Sequence, residues 1–427
     1  MNSYDFLAKY GLRASDVDTE KVLGFFSDEM KKGLDGEKSS LAMIATYCQA
    51  ANDIPEGESV IVMDAGGTNF RTCLVKFVEG KAEISDFNRV SMPGIKKEVS
   101  AKEFFSILAD NIERFMGKSK KIGFCFSYAA EITEDHDGIP LMFSKEIKAP
   151  EVIGKRIGKE LLAELSRRGY DTEGMTVSIV NDTVATLLAA KAAYRGDAST
   201  YIGFILGTGT NTAYVEKNSN IGKIRAEEGS QIINVESGCL RLTLSEIDEE
   251  FMKTTKDSDA YHLEKKISGA YLGPFALHVL KKAAAEGVFS SSVSQSINAL
   301  ESMETKDMGL YLRDAGNKDN PLSFLNETEE DAKNAYVIFR TIVERSAKLT
   351  AINLTAAVLA SGEGEDPRRP VVINADGTTF YKTCFLEDYV KAYLDEILWK
   401  KEGRVYTIVN IDSSPTIGAA IAGLCVS

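Results

Sequence analysis

Three short stretches hold residue types and spacings that can do chemistry. In Val60–Phe77, VIVMDAGGTNFRTCLVKF, an apolar strand runs into Asp64-Ala65-Gly66-Gly67-Thr68, and Arg71–Phe77 is extended again. The pattern predicts a strand–turn–strand hairpin. Gly66 and Gly67 can take positive φ and let a ligand approach the backbone closely. Successive N–H groups in such a turn form a concave anion site, and Thr68 adds a hydroxyl. Asp64, at the end of a buried strand, suits a hydrated Mg2+, which takes oxygen ligands and keeps several waters. An ordinary glycine hairpin reads the same way, because a Gly-Gly turn is a weak motif by itself.

The second stretch repeats the first. Tyr201–Val215, YIGFILGTGTNTAYV, is again an apolar strand, a glycine-hydroxyl turn (Gly207-Thr208-Gly209-Thr210) and an apolar strand, and Asn69 and Asn211 follow the last threonine of each turn. Two such hairpins far apart in one chain predict a duplicated domain, each half offering a phosphate loop to a shared cleft. Fixed-period arrays are absent, so this is one duplication and not a solenoid. In the third stretch the short buried strand Thr176–Val180 ends in Asn181-Asp182-Thr183 and turns directly into an Ala- and Leu-rich helix, Val184–Tyr194. An acid at the carboxyl end of a parallel strand sits where α/β folds bind ligands. Local sequence alone favours a helix cap for Asn181 or Asp182.

The elements around these stretches alternate. Apolar spacing predicts helices over Ser15–Gly33 (Ser15 as cap), Ser40–Ala50, Ser100–Met116 (Ser100 as cap) and Val152–Arg168. Strands are expected at Ala82–Val90, Lys121–Tyr128, Ile232–Glu236, Val371–Ile373 and Val405–Asn410. Further helices are expected at Leu263–Ala285, Ser290–Leu300, Ala332–Leu359, Leu386–Leu398 and Ile417–Leu424. Glu246–Ala260 reads as a polar surface excursion, Lys318–Glu330 as a linker and Asn374-Ala375-Asp376-Gly377 as a turn. This alternation predicts an α/β class with doubly wound sheets.

Composition narrows the function classes. The chain has 427 residues, 44% hydrophobic and 26% charged, which suits a soluble enzyme of two or three domains. Its net charge of −13 argues against nucleic acid or an anionic membrane as main partner, since both need a basic face. The six cysteines are dispersed with no CxxC pair, so neither a zinc site nor a disulfide framework is expected, and free thiols fit a reducing cytosol. His136, His262 and His278 lack metal-ligand spacing. The start, MNSYDFLAKYGLRASD, has no basic region followed by an apolar core, so no signal peptide is expected. No run reaches the ~18 apolar residues that span a membrane.

Taken together, the motifs resemble those of the eukaryotic-type hexokinases, ATP-dependent sugar kinases of the actin-like fold. DAGGTNFR at Asp64–Arg71 resembles the family's first phosphate motif and GTGTN at Gly207–Asn211 its second. FCFSY at Phe124–Tyr128 and Phe143-Ser144-Lys145 resemble the sugar-binding strand and loop. VNDT at Val180–Thr183 resembles the catalytic motif, and NVESG at Asn234–Gly238 a further sugar segment. DGTTFYK at Asp376–Lys382 and SSPTIGAA at Ser413–Ala420 resemble the adenosine-side elements. The matches keep their order from about residue 20 onward.

The resemblance implies a duplicated actin-like (ribonuclease H-like) ATPase fold with two lobes around a cleft. The small lobe would be residues 60–182 with 413–427, and the large lobe 1–59 with 183–412. Asp182 would be the general base toward the sugar 6-hydroxyl. Ser127, Ser144, Lys145, Asn181, Asn211 and Glu236 would bind the sugar. Asp64 would face the Mg2+ of MgATP, through water. Gly66, Gly67, Thr68, Asn69 and Arg71 on one side, and Gly207, Thr208 and Gly209 on the other, would hold the phosphates, with Ser414 on the adenosine side. The implied protein is a cytoplasmic monomer or homodimer that takes a hexose, glucose first, and ATP. A kinase for mannose, fructose or an amino sugar is the nearest alternative, and a non-catalytic sugar or nucleotide sensor on this fold is the next.

Some positions depart from the family pattern. In GAYLGPF, Pro274 stands where the family has Glu, which implies loss of a sugar contact of about 1.5–3 kcal/mol. Ala129 replaces Pro, Glu146 replaces Gly, and Ser414-Pro415-Thr416 replaces a glycine-rich turn. Ala351-Ile352-Asn353 lacks the family's glycine pair.

Overall fold

The computed structural model describes residues 1–49, 53–143, 147–224 and 228–425. Their strands are β1 (Ile44–Ala45), β2 (Ser59–Gly66), β3 (Asn69–Val78), β4 (Lys81–Ser91), β5 (Lys121–Phe126), β6 (Ala130–Ile132), β7 (Gly138–Pro140), β8 (Thr176–Val180), β9 (Tyr201–Leu206), β10 (Thr210–Lys217), β11 (Ser230–Asn234), β12 (Val371–Asp376) and β13 (Tyr406–Val409). A five-stranded sheet has the order β4-β3-β2-β5-β8, and a six-stranded sheet the order β1-β11-β10-β9-β12-β13. Apart from β1, the two follow one plan. Each begins with an antiparallel three-strand meander, β2-β3-β4 or β9-β10-β11. Each then adds two parallel strands beside the first, β5 and β8 or β12 and β13. The glycine hairpins occupy the same place in both plans, between the first and second strands. A shared plan is the structural form of a duplication.

Burial explains the strand sequences. The central strand β2 is covered on both faces, and its residues Val60–Ala65 are all buried, so it reads as a continuous apolar run broken only by Asp64. The edge strand β4 is mostly exposed and carries the charged, alternating sequence KAEISDFNRVS.

The helices after the last strand of each half exchange places. Asp182–Ala193 follows β8 yet lies on the second sheet, where a Cβ on Gly203 of β9 would fall 2.2 Å from the Thr183 carbonyl oxygen. Ser414–Cys425 follows β13 yet lies on the first sheet, where a Cβ on Gly123 of β5 would fall 1.8 Å from the Ala419 carbonyl oxygen. The two helices meet at Gly418, where a Cβ would fall 2.0 Å from the Ala185 carbonyl oxygen. Backbone touches backbone at these points, and only glycine leaves room. Val60, Val62, Cys125, Val184, Leu187, Ala420 and Ala422 form one apolar cluster around the crossing.

Several segments differ from the sequence expectation. The first long helix is Thr19–Asp35, and its cap is Asp18, which accepts from the Lys21 N–H at 3.1 Å; Ser15 lies in a separate short turn, Ala14–Asp16. Residues 40–49 are not helical: Met43 and Tyr47 have φ of 45° and 55°, and β1 pairs with β11. Pairing at a sheet edge there overrides helix propensity; Ala50 lies outside the described residues. Glu246–Ala260 is not a surface excursion throughout. Glu246–Thr254 is an amphipathic helix with Ile247, Asp248, Phe251 and Met252 buried. Asp248 forms a two-pronged ion pair with Arg345 of the long helix Glu329–Ser361, with Arg345 Nη1 donating to Oδ1 at 3.0 Å and both side chains buried. The expected helix Leu263–Ala285 is two helices, Glu264–Ile267 and Leu272–Ala285.

Candidate active site

The head of the helix Asp182–Ala193 settles the choice left open at VNDT. Asn181 is the cap: its side-chain oxygen accepts from the Thr183 N–H at 2.8 Å. Asp182 is therefore the first helical residue and not the cap. The Ser127 hydroxyl and the Thr183 N–H and hydroxyl point donors at it. Burial pushes the Asp182 carboxyl above the ordinary carboxylate range and the Asp64 charge adds to the rise, while those donors oppose it. A carboxylate with raised proton affinity in a cleft has the character of a general base.

The first hairpin stands beside it. Gly66 touches both Asp64 and Ser127, since a Cβ there would lie 3.5 Å from Asp64 Oδ1 and 3.5 Å from Ser127 Oγ. Asp64 and Arg71 face each other in the β2–β3 register, and the guanidinium donates to Asp64 Oδ2 at 2.6 Å. Asp64 is 3% exposed, and burial raises its carboxyl against the opposing pull of Arg71. Only Gly67 of the glycine pair takes positive φ, 57°. The turn is held from behind: the Tyr128 hydroxyl donates to the Gly67 carbonyl at 2.7 Å and the Met92 N–H to the Thr68 carbonyl at 3.0 Å. Asn69 lies at the outer rim, where it accepts from Arg89 Nε at 2.9 Å.

On the other half, Asn211 donates to Asn234 Oδ1 at 2.7 Å and lies 3.5 Å from Asn181 Oδ1. Asn234 in turn donates to Glu236 Oε1 at 2.8 Å. Glu236 has φ of 57°, and burial raises its carboxyl, with Asn234 opposing and Asp182 adding. The structure thus gathers Ser127, Asn181, Asp182, Asn211 and Glu236 around one opening. A small cavity of about 10 Å³ behind it is lined by Phe126, Tyr128, Ile179, Asn181, Asn234 and Glu236.

Glu264 belongs to the same group and was not singled out from sequence. Its Oε2 accepts from the Thr210 N–H at 3.0 Å, and a Cβ on Gly209 would lie 2.7 Å from it. Burial raises its carboxyl and the Glu236 charge adds to that. It starts a short helix only ten residues ahead of Pro274, and the available signal was its place as the last acid before the break at Ser268–Tyr271. Pro274 itself does not face the sugar-side residues. It lines a separate cavity of about 840 Å³ with Thr208, Gly269, Ala270, Lys306, Arg313, Thr378 and Thr379. The acid beside Glu236 is Glu264.

The second hairpin forms the wall between the two spaces. Gly207 and Gly209 bond across the turn at 2.9 Å, and the N–H groups of Gly269 and Ala270 donate to the carbonyls of Gly207 and Thr208 at 2.9 and 3.1 Å. The Thr379 hydroxyl donates to the Gly207 carbonyl at 2.8 Å. Ser414 does not present its hydroxyl to the cavity. It is 1% exposed, donates to the Ile411 carbonyl at 2.6 Å and accepts from Asn374 at 3.0 Å. Ser144 and Lys145 lie outside the described residues.

No group of three or more His, Cys, Asp or Glu among the described residues is arranged to hold a metal ion. The single buried carboxylate Asp64 beside a glycine turn offers the oxygen ligand that a hydrated Mg2+ takes. No described helix is long and apolar enough to cross a membrane.

Two sequence profiles, each described as hexokinase, match residues 8–192 and 201–425. A mouse protein named Hexokinase-3 is 30% identical over 373 residues, which cover 83% of this chain and 40% of that protein. A rice protein named Hexokinase-7 is 27% identical over 433 residues, covering 94% of this chain and 92% of its own length. The chain therefore spans less than half of the mammalian relatives it matches and nearly all of the rice one. Among solved structures, a hexokinase from Schistosoma mansoni complexed with glucose aligns with a TM-score of 0.77 at 22% identity over the whole of both chains. A ROK hexokinase from Thermus thermophilus aligns with a TM-score of 0.54 at 16% identity, over 86% of this chain and 97% of that one. The actin-like fold expected from the motifs is the fold of this chain.

Proposed function

Because the chain belongs to the hexokinase family, we propose that it transfers the terminal phosphoryl group of MgATP to the 6-hydroxyl of a hexose, glucose first. The observation that carries this reading is the convergence on Asp182. Ser127 from the first half donates to it, Asp64 of one glycine turn raises its proton affinity, and its own charge bears on Glu236 from the second half. Asn181, Asn211, Glu236 and Glu264 hold the sugar hydroxyls with Ser127, and Ser144 and Lys145 join them as the family pattern has it.

Asp182 accepts the proton as the 6-oxygen bonds to the γ-phosphorus, and the bond to the bridging oxygen breaks to release ADP. Phosphoryl transfer needs alignment and charge neutralisation more than covalent chemistry. Alignment of two bound reactants is worth about 7–11 kcal/mol. The turns Gly66–Asn69 and Gly207–Gly209 supply backbone donors to the phosphates, with Arg71 beside the first. Asp64 faces the Mg2+ that comes with ATP. The 840 Å³ cavity beyond Thr208 takes the adenosine, a volume within the usual range for ligand sites. We assign residues 60–182 with 413–427 to the small lobe and 1–59 with 183–412 to the large one, in a cytoplasmic monomer or homodimer.

The test is sugar-dependent ADP release over a panel of glucose, mannose, fructose and glucosamine, with Asp182→Ala as control. Turnover with at least one hexose that falls about 10²–10⁴-fold in the variant is expected. Equal turnover in the variant removes the base assignment. Sugar binding with no ADP release in the parent favours the sensor reading, to which the buried hydroxyl of Ser414 lends weight.

A further inference from the structure

Tyr261 reaches from the Glu236–Glu264 side of the cleft to the opposite half: its hydroxyl lies 3.9 Å from Met142 Sδ. Its backbone is left-handed, with φ of 56°, a conformation that strains an L-residue and persists where the surroundings hold it. Here the surroundings are the short helix Glu264–Ile267, whose Lys265 N–H donates to the Tyr261 carbonyl at 3.0 Å. Met142 is held in turn by the preceding residue, whose N–H (Leu141) donates to the Ala129 carbonyl at 2.9 Å, just past the strand that ends in Phe126. Met142 is 52% exposed, so its contact with Tyr261 is made at the mouth of the cleft and not in the core. The phenol oxygen also feels the charges of Glu236 and Glu264.

From these positions we infer that Tyr261, meeting Met142, is a specificity wall for the acceptor: it excludes hexoses that carry a substituent on carbon 1 or 2. The inference rests on the kinase reading above. On that reading the 6-hydroxyl lies at Asp182, so the Glu236–Glu264 side, to which Tyr261 belongs, takes the end of the ring remote from the reacting oxygen. A bare hydroxyl on those carbons fits beneath the phenol. An O-methyl or N-acetyl group meets the ring of Tyr261.

The experiment measures binding by calorimetry, and turnover by ADP release, for glucose, methyl glucoside and N-acetylglucosamine. The proteins are the parent, Tyr261→Phe, Tyr261→Ala and Met142→Ala, each checked for a cooperative thermal transition. The Phe variant keeps the ring and is expected to keep the parent's discrimination. Tyr261→Ala is expected to raise the affinity for at least one substituted sugar relative to glucose tenfold or more, the scale on which pocket size discriminates. Met142→Ala moves the same ratio in the same direction and serves if Tyr261→Ala does not fold. Ratios unchanged in every folded variant, with the parent binding glucose, overturn the wall. A parent that binds no hexose overturns the kinase reading, and the wall with it, which is a different result.

Discussion

Asp182 shows at the scale of one residue how position sets chemistry. Because burial and the Asp64 charge raise its carboxyl, the acidic limb of kcat is expected to lie above the ordinary carboxylate range. A pH–rate profile at saturating hexose and MgATP checks this. Ser127→Ala removes a donor to the ionised form and is expected to move that limb to still higher pH. The same rise has a stability consequence of defined sign. A carboxyl whose folded-state value is raised supports the fold at low pH, below its unfolded-state value, and that support is lost as pH rises through the folded-state value. Asp182→Asn is therefore expected to melt higher than the parent at neutral pH, with the gap closing in acid, while its kcat falls about 10²–10⁴-fold. Thermal melts across pH test the first half of that statement and the ADP assay the second.

At the scale of elements, the helices are tied at two crossings. Gly418 presses against the Ala185 carbonyl where the helices Asp182–Ala193 and Ser414–Cys425 meet. Gly418→Val would force that crossing apart, and a loss of about 1–3 kcal/mol or more is expected in urea unfolding. The variant's kcat is expected to fall as well, because the first of these helices carries Asp182 at its head. The second crossing is the long helix Glu329–Ser361 against Glu246–Thr254, tied by the buried Arg345–Asp248 pair. Arg345→Ala leaves the buried Asp248 carboxylate without its ion-pair partner, with only the Ser245 hydroxyl and the Lys266 charge facing it, and is expected to cost about 3–5 kcal/mol, whereas the double change Arg345→Met with Asp248→Leu costs less. Equal losses in the single and double variants would show that the pair acts only through packing volume.

At the scale of the whole molecule, the proposed reaction draws on both halves. The first carries Asp64, Ser127 and the strand Thr176–Val180, which leads into Asp182; the second carries Asn211, Glu236 and Glu264. A hexose that bridges them stabilises the folded chain by mass action, about 2.7 kcal/mol at a hundredfold excess over Kd. A rise in melting temperature with glucose is expected for the parent and for Asp182→Ala alike, and a much smaller one for Glu236→Ala. On the proposed reading, closure of the two halves around the sugar excludes water, so ATP hydrolysis without hexose is expected to stay far below the sugar-dependent rate.

The sequence by itself determined both glycine hairpins, the strand-to-helix junction at Asn181-Asp182, the duplication and the family. Those features are written in local pattern: apolar runs, adjacent glycines and hydroxyls, and the order of short motifs. It did not determine which residue caps the helix at that junction and which begins it, because a cap is a matter of φ and ψ that Asn and Asp share. Nor did it place Glu264, which reaches the Thr210 N–H across more than fifty residues of chain, or Pro274, which lies on the far side of the second turn. Residues 40–49 became extended through an edge strand that the local pattern does not contain. Only the tertiary structure decided these, since each depends on a partner distant in sequence whose approach is fixed by sheet pairing and by glycines that let backbones touch.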